Sequence, residues 1–95
     1  MIRVEIVPND INTVAKVVLI DENNRVLLLK RSNYMKKFAG EWDLPGGHLR
    51  ENESLFDGLT REVKEETGLI IKSAKLIEIQ SNLHFYYTKY NSDPI

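Results

Sequence analysis

The segment GHLRENESLFDGLTREVKEETGL, Gly47 to Leu69, decides how the chain folds. From Ser54 to Thr67 its apolar residues recur with helical spacing. Ser54 with Asp57 three positions on makes an N-cap pair, and Gly68 stands where a C-terminal cap belongs. At ~100° per residue, Glu62, Glu65 and Glu66 share one stripe of this helix. Phe56, Leu59 and Val63 form a second stripe about a quarter of the circumference away, with Leu55 between the two. The second stripe is expected to face the core. Gly58 falls on the carboxylate stripe, where it is read as a helix-to-sheet packing contact rather than an opening for a ligand.

Three carboxylates on one stripe work against the helix. Glu62 and Glu66 are a like-charge i, i+4 pair, unfavourable by about 0.2–0.5 kcal/mol, in the last turns where the helix dipole disfavours anions. Arg61, four residues before Glu65, offsets part of this. A solvated acidic face is the ordinary meaning of such a run. A divalent cation on the stripe would equally account for it. With oxygen ligands, no cysteine and no paired histidine, the ion selected is hard: Mg²⁺, with Mn²⁺ as substitute.

Outward from this segment the chain reads as strands. Ile2, Val4 and Ile6 alternate with polar residues up to Pro8. Thr13 to Ile20, TVAKVVLI, has the composition of a central strand buried on both faces. Asp21 to Asn24 is a turn, and Arg25 to Lys30 its hairpin return. A polar loop with Lys36 and Lys37 leads to a short strand at Trp42–Leu44, and Pro45-Gly46-Gly47 predicts a sharp turn. Ile70 to Gln80 and Leu83 to Tyr90 form two more strands joined by Ser81-Asn82. The class is α+β: a mixed or antiparallel sheet with the helix packed on one face.

The 95 residues allow one domain, 1–95. A net charge of −1 gives no general attraction for nucleic acid or an anionic membrane, so an anionic ligand must be held locally. The absence of cysteine excludes disulfides and zinc–thiolate sites and leans towards the cytoplasm. No apolar run approaches the ~18–20 residues that span a bilayer.

The fixed residues of the opening segment are Gly47, Glu53, Arg61-Glu62-Val63, Glu65-Glu66 and Gly68-Leu69. In this spacing they resemble the box of the Nudix family in full (47–69), and ordinary residue usage makes a chance match roughly 10⁻⁹ to 10⁻⁸ per starting position. The preceding hairpin and the Trp42–Gly46 lead-in are also similar to the family. The resemblance implies a Nudix-like mixed sheet and Mg²⁺-dependent hydrolysis of a diphosphate linkage, by attack of water on phosphorus. The substrate would be a small nucleoside diphosphate derivative or nucleoside triphosphate, with no nucleic acid or membrane as partner. Carried over by position, Glu62, Glu65, Glu66 and the carbonyl of Gly46 would bind metal. Arg61 would orient the carboxylates, and Glu53 would be a further ligand or an assisting base, the base in some members being instead a glutamate of the helix, such as Glu65, or of a later loop. Arg31 would touch substrate phosphate. Trp42 is read as packing the loop, His48 as a solvated turn residue, and His84, Tyr86 and Tyr87 as core and surface residues of one strand.

Domains of this family normally continue past this point, so the resemblance implies a C-terminally shortened domain with Asp93 as its last acid. Exposed apolar surface and an open sheet edge follow, and with them the expectation of a homodimer, with exchanged strands as one form of it. The short N-terminus leans towards a small pyrophosphohydrolase type. A second reading is a non-catalytic module that binds metal, nucleotide or a protein partner without turnover.

Overall fold

The computed structural model describes residues 12–32 and 39–90. The strand expected at Ile2–Ile6, the loop lysines Lys36 and Lys37, and Asn91 to Ile95 with Asp93 lie outside the described residues.

β1 (Val14–Ile20) is an interior strand. Its residues alternate as the pleat requires: Ala15, Val17 and Leu19 are buried and their neighbours half-buried. Burial on both faces, expected from the β-branched run, is thus complete on one face only. Leu27 N–H donates to the Leu19 carbonyl and Val26 bridges Ile20, so the return hairpin begins as expected. It does not continue. Leu29–Lys30 (β2) leaves β1 to pair with Trp42–Asp43 (β3) in a separate two-stranded sheet.

Gly46–His48 (β4) pairs antiparallel with β1, Lys16 opposite Gly46. The sharp turn expected at Pro45-Gly46-Gly47 is therefore a strand entry. Gly46 is needed there for close approach: with φ of +130°, a Cβ would lie 2.0 Å from the Ala15 carbonyl oxygen. After the helix, the strand expected over 70–80 is confined to Lys75–Gln80 (β5). It forms a hairpin with Leu83–Lys89 (β6), and the register shifts between Leu76 and Glu78. β6 runs parallel to β1, Val17 beside Tyr86, a connection that only a long crossover through the helix allows. The four-stranded order is β4-β1-β6-β5, so the sheet is mixed.

The helix, α1 (Leu55–Thr67), begins and ends as its sequence dictates. Ser54 Oγ accepts from Asp57 N–H at 3.1 Å, and Gly68, at φ of +77°, donates to the Lys64 carbonyl. Leu55, Leu59 and Val63 are buried on Ala15, Val17, Leu19, Leu49, Ile71 and Tyr86, with Phe56 only packed against this cluster. The buried arc is rotated from the expected stripe: Leu55 replaces Phe56, which brings the core face closer to Glu62 and Glu66. Gly58 is buried too, against the loop before the helix rather than the sheet, since a Cβ would meet Leu49 Cδ2 at 2.1 Å and Glu53 Oε1 at 2.9 Å.

β5 is exposed along its length, Leu76, Ile77 and Ile79 included. Among the described residues no helix is long and apolar enough to cross a membrane.

Candidate active site

Arg61 is the hub of the carboxylates. Its Nε and a terminal nitrogen donate to the two oxygens of Glu53 at 2.8 and 3.0 Å, a two-pronged pairing that fits a planar guanidinium. The other terminal nitrogen donates to Glu62 at 3.0 Å and Glu65 at 3.3 Å, while the one on Glu53 also donates to the His48 carbonyl at 3.2 Å. Only 18% of the Arg61 side chain is exposed. Hydrogen bonds donated to Glu53 and Glu62 hold the guanidinium charged more firmly than usual. Glu53 also accepts from Arg50 N–H at 2.9 Å, closing the turn that carries it. Arg61, with this backbone bond, holds the Glu53 carboxyl below the ordinary carboxylate range.

Glu62 and Glu66 face a cleft of about 790 Å³ between α1, β4, β1 and β2. The Glu62 carboxylate lies where a Gly47 Cβ would be, 2.9 Å from the Glu62 Oε2 and Cδ atoms, so glycine at 47 is what makes room for it. Glu66 Oε1 accepts from Gly46 N–H at 2.8 Å. Desolvation raises the Glu66 pKa, with the Gly46 bond and the Lys16 charge opposing it. Glu65 points elsewhere. It is 51% exposed and held by Arg61 and, at 3.5 Å, by Arg50. Among the described residues no three His, Cys, Asp or Glu side chains gather as a metal-holding group. The cleft thus has two of the three expected carboxylates, and the third is tied at its edge by arginine.

The donor chemistry nevertheless suits a hard cation. Two carboxylates and the Gly46 backbone line the cleft together, Glu62 reaching it through the room left by the missing Cβ of Gly47. Glu66, partly desolvated, is the group a cation would relieve. The Gly46 carbonyl, expected as a ligand, accepts from Lys16 Nζ at 3.3 Å.

Three cations, Lys16, Lys30 and Arg31, line the same cleft, together with Asp43. Arg31, the expected phosphate contact, lies 3.6 Å from Asp43 Oδ2, which also pairs with Lys16 at 3.0 Å. Neither Lys16 nor Asp43 was singled out by the sequence reading. Lys16 had one signal: it is the charged residue inside the apolar run TVAKVVLI. Trp42 does not pack the loop as expected. It is 64% exposed with Lys30 Nζ 5.9 Å over its ring. His48 is exposed on β4, Tyr86 is buried, and Tyr87 lies on the surface.

The profile of the NUDIX domain matches residues 11–94, and the chain belongs to the Nudix family. It is 41% identical over 64 residues to an ADP-ribose pyrophosphatase of Methanocaldococcus jannaschii, a match that covers 67% of this chain and 37% of that protein. The fold is similar to the MutT protein of Methanosarcina mazei, with a TM-score of 0.61 and 31% identity over 83% of this chain and 60% of that one. A MutT/nudix family protein from Enterococcus faecalis superposes with a TM-score of 0.75 at 25% identity, over 97% of this chain and 41% of that one. The chain therefore spans between about a third and two thirds of the length of these relatives.

Proposed function

We propose that this chain hydrolyses a diphosphate linkage in a nucleoside diphosphate derivative or nucleoside triphosphate, with Mg²⁺ as its cation and Mn²⁺ as substitute. The observation that carries this reading is the Arg61 fork. One guanidinium holds Glu53, Glu62 and Glu65, and Glu62 lines a cleft that Glu66, Lys16, Lys30 and Arg31 also line. Carboxylates and cations in one cleft are what a metal-bound diphosphate needs. Glu62, Glu66 and the Gly46 carbonyl would hold the metal, with Glu65 completing the set once its carboxylate leaves Arg61. When bound, the ion neutralises phosphate charge and lowers the pKa of an attacking water. Glu53, held at both oxygens by Arg61, serves as a further ligand or an assisting base, and a helix glutamate such as Glu65 is the alternative base. Arg31, which lines the same cleft, contacts the phosphate.

The name of the archaeal relative supports a nucleoside diphosphate sugar as the first substrate to test. The lack of cysteine supports a cytoplasmic setting, and the apolar edge at Leu76, Ile77 and Ile79 supports a homodimer. A stable monomer in sedimentation at high concentration would remove the dimer. For the activity, the protein is incubated with Mg²⁺ and a panel of ADP-ribose, nucleoside di- and triphosphates, dinucleoside polyphosphates and nucleotide sugars. Turnover that disappears with chelator and in Glu66→Gln is expected. Binding without turnover across the panel would replace this reading with the non-catalytic one.

A further inference from the structure

Lys16 is the only charged side chain of β1 and is largely buried, with 14% of the side chain exposed. Its Nζ donates to Asp43 Oδ2 at 3.0 Å and to the carbonyls of Leu44 and Gly46 at 3.3 Å each. All three ammonium donors are thereby used. The acceptors lie along the passage from β3 to β4, so one cation ties that passage to an interior strand.

Gly46 joins Lys16 to the carboxylates. Its N–H donates to Glu66 and its carbonyl accepts from Lys16, on the same residue and in the same cleft. Carboxylates drawn out of water need a positive charge nearby, and the chain supplies one of its own.

We propose that Lys16 is a resident counter-cation of the cleft, which a divalent ion must displace from the Gly46 carbonyl and which then pairs with the phosphate that arrives with the metal. The inference rests on the metal-dependent reading above. Asp43 acts as the pivot, because it holds both Lys16 and Arg31, and an ammonium leaving Gly46 stays within that cationic cluster. Metal and phosphate binding are then reciprocally coupled, each strengthening the other by one factor. Lys16 in these terms both sets metal affinity and binds the phosphate.

The test is Mn²⁺ titration of the full chain, followed by electron paramagnetic resonance, alone and with imidodiphosphate. Wild type is expected to bind Mn²⁺ weakly alone and tighter with imidodiphosphate. Lys16→Met is expected to bind Mn²⁺ alone about tenfold tighter, because a like charge a few ångströms from the ion is gone, and to gain less from imidodiphosphate. If Lys16→Met does not melt cooperatively, Lys16→Gln carries the same expectation with a donor retained. A residue that only anchored β3 to β4 would lower the melting temperature and leave the coupling intact. A folded variant that binds Mn²⁺ no tighter than wild type, or keeps the whole imidodiphosphate gain, overturns the inference alone. If neither wild type nor variant binds Mn²⁺ under either condition, the metal reading falls and the inference with it.

Discussion

Gly46 and Gly47 are neighbours with different reasons to be glycine. At Gly46 the obstacle is the backbone of β1, which is fully buried at Ala15 and cannot retreat, and φ is +130°. Gly46→Ala is expected to cost about 3 kcal/mol or more, read from urea unfolding. At Gly47 the obstacle is the far end of the Glu62 side chain, which can turn aside. Gly47→Ala is expected to stay within about 1 kcal/mol of wild type, while Mn²⁺ binding weakens because the carboxylate is displaced. Equal loss of stability in both variants would contradict this division. Arg61 and Glu53 give a pH dependence of definite sign. The folded Glu53 pKa lies below its unfolded value, near 4.5, so the folded state favours the ionised form. The pair's contribution is fully present above about pH 5 and is lost as the pH falls through the folded pKa. Urea midpoints measured from pH 7 to pH 3 should fall in that window, and the fall should be shallower in Glu53→Gln. An unchanged slope in that variant would remove Glu53 as the group responsible.

At the level of the elements, α1 was legible from its own residues because capping is local. Ser54, Asp57 and Gly68 each satisfy a group within four positions along the chain. Its rotation about its axis was less legible. The buried arc depends on what the helix lies against, and here that includes Leu49 in the preceding loop. Gly58 shows the consequence. By propensity alone Gly58→Ala would gain about 1 kcal/mol in a helix interior. The Cβ would instead meet Leu49 Cδ2 at 2.1 Å and press on Glu53, so net destabilisation is expected in thermal melts, with weaker metal binding as Glu53 shifts Arg61. A stabilised variant would mean that the loop moves freely away from the helix. The β2 segment failed for a related reason: RVLLLK carries a strand pattern, but the pattern does not name its partner. Val26 stays with β1, and Leu29 and Lys30 go to β3, found beyond a loop. Pro45-Gly46-Gly47 misled because glycine signals both turns and close approach, and only the proximity of Ala15 separates them.

At the scale of the molecule, the α+β class followed from counting strands around one helix, which left the sheet mixed or antiparallel, and the family resemblance implied the mixed one. The strand order followed from neither, since β1 pairs in parallel with the last described strand, across nearly the whole described chain. The site shows the same split. The Arg61 contact to Glu65 lies on one helix and was readable from spacing, whereas Lys16 and Asp43 reach the cleft only once β3 and β4 are laid against β1.

That parallel pairing also dictates an order of events during synthesis. Lys16, Gly46, Glu53, Arg61 and Glu66 all leave the ribosome before β6 does, yet β1 has no parallel neighbour and the core lacks Tyr86 until then. Contacts this distant in sequence are slow to close, because the intervening chain must first be gathered in. A nascent chain arrested with residue 80 just outside the ribosome should therefore be cut readily by protease, and one arrested with residue 90 clear of it should resist. Until β6 emerges, the nascent chain exposes the acidic face of α1 next to an unsealed apolar strand, which is the interval in which a chaperone would have something to hold.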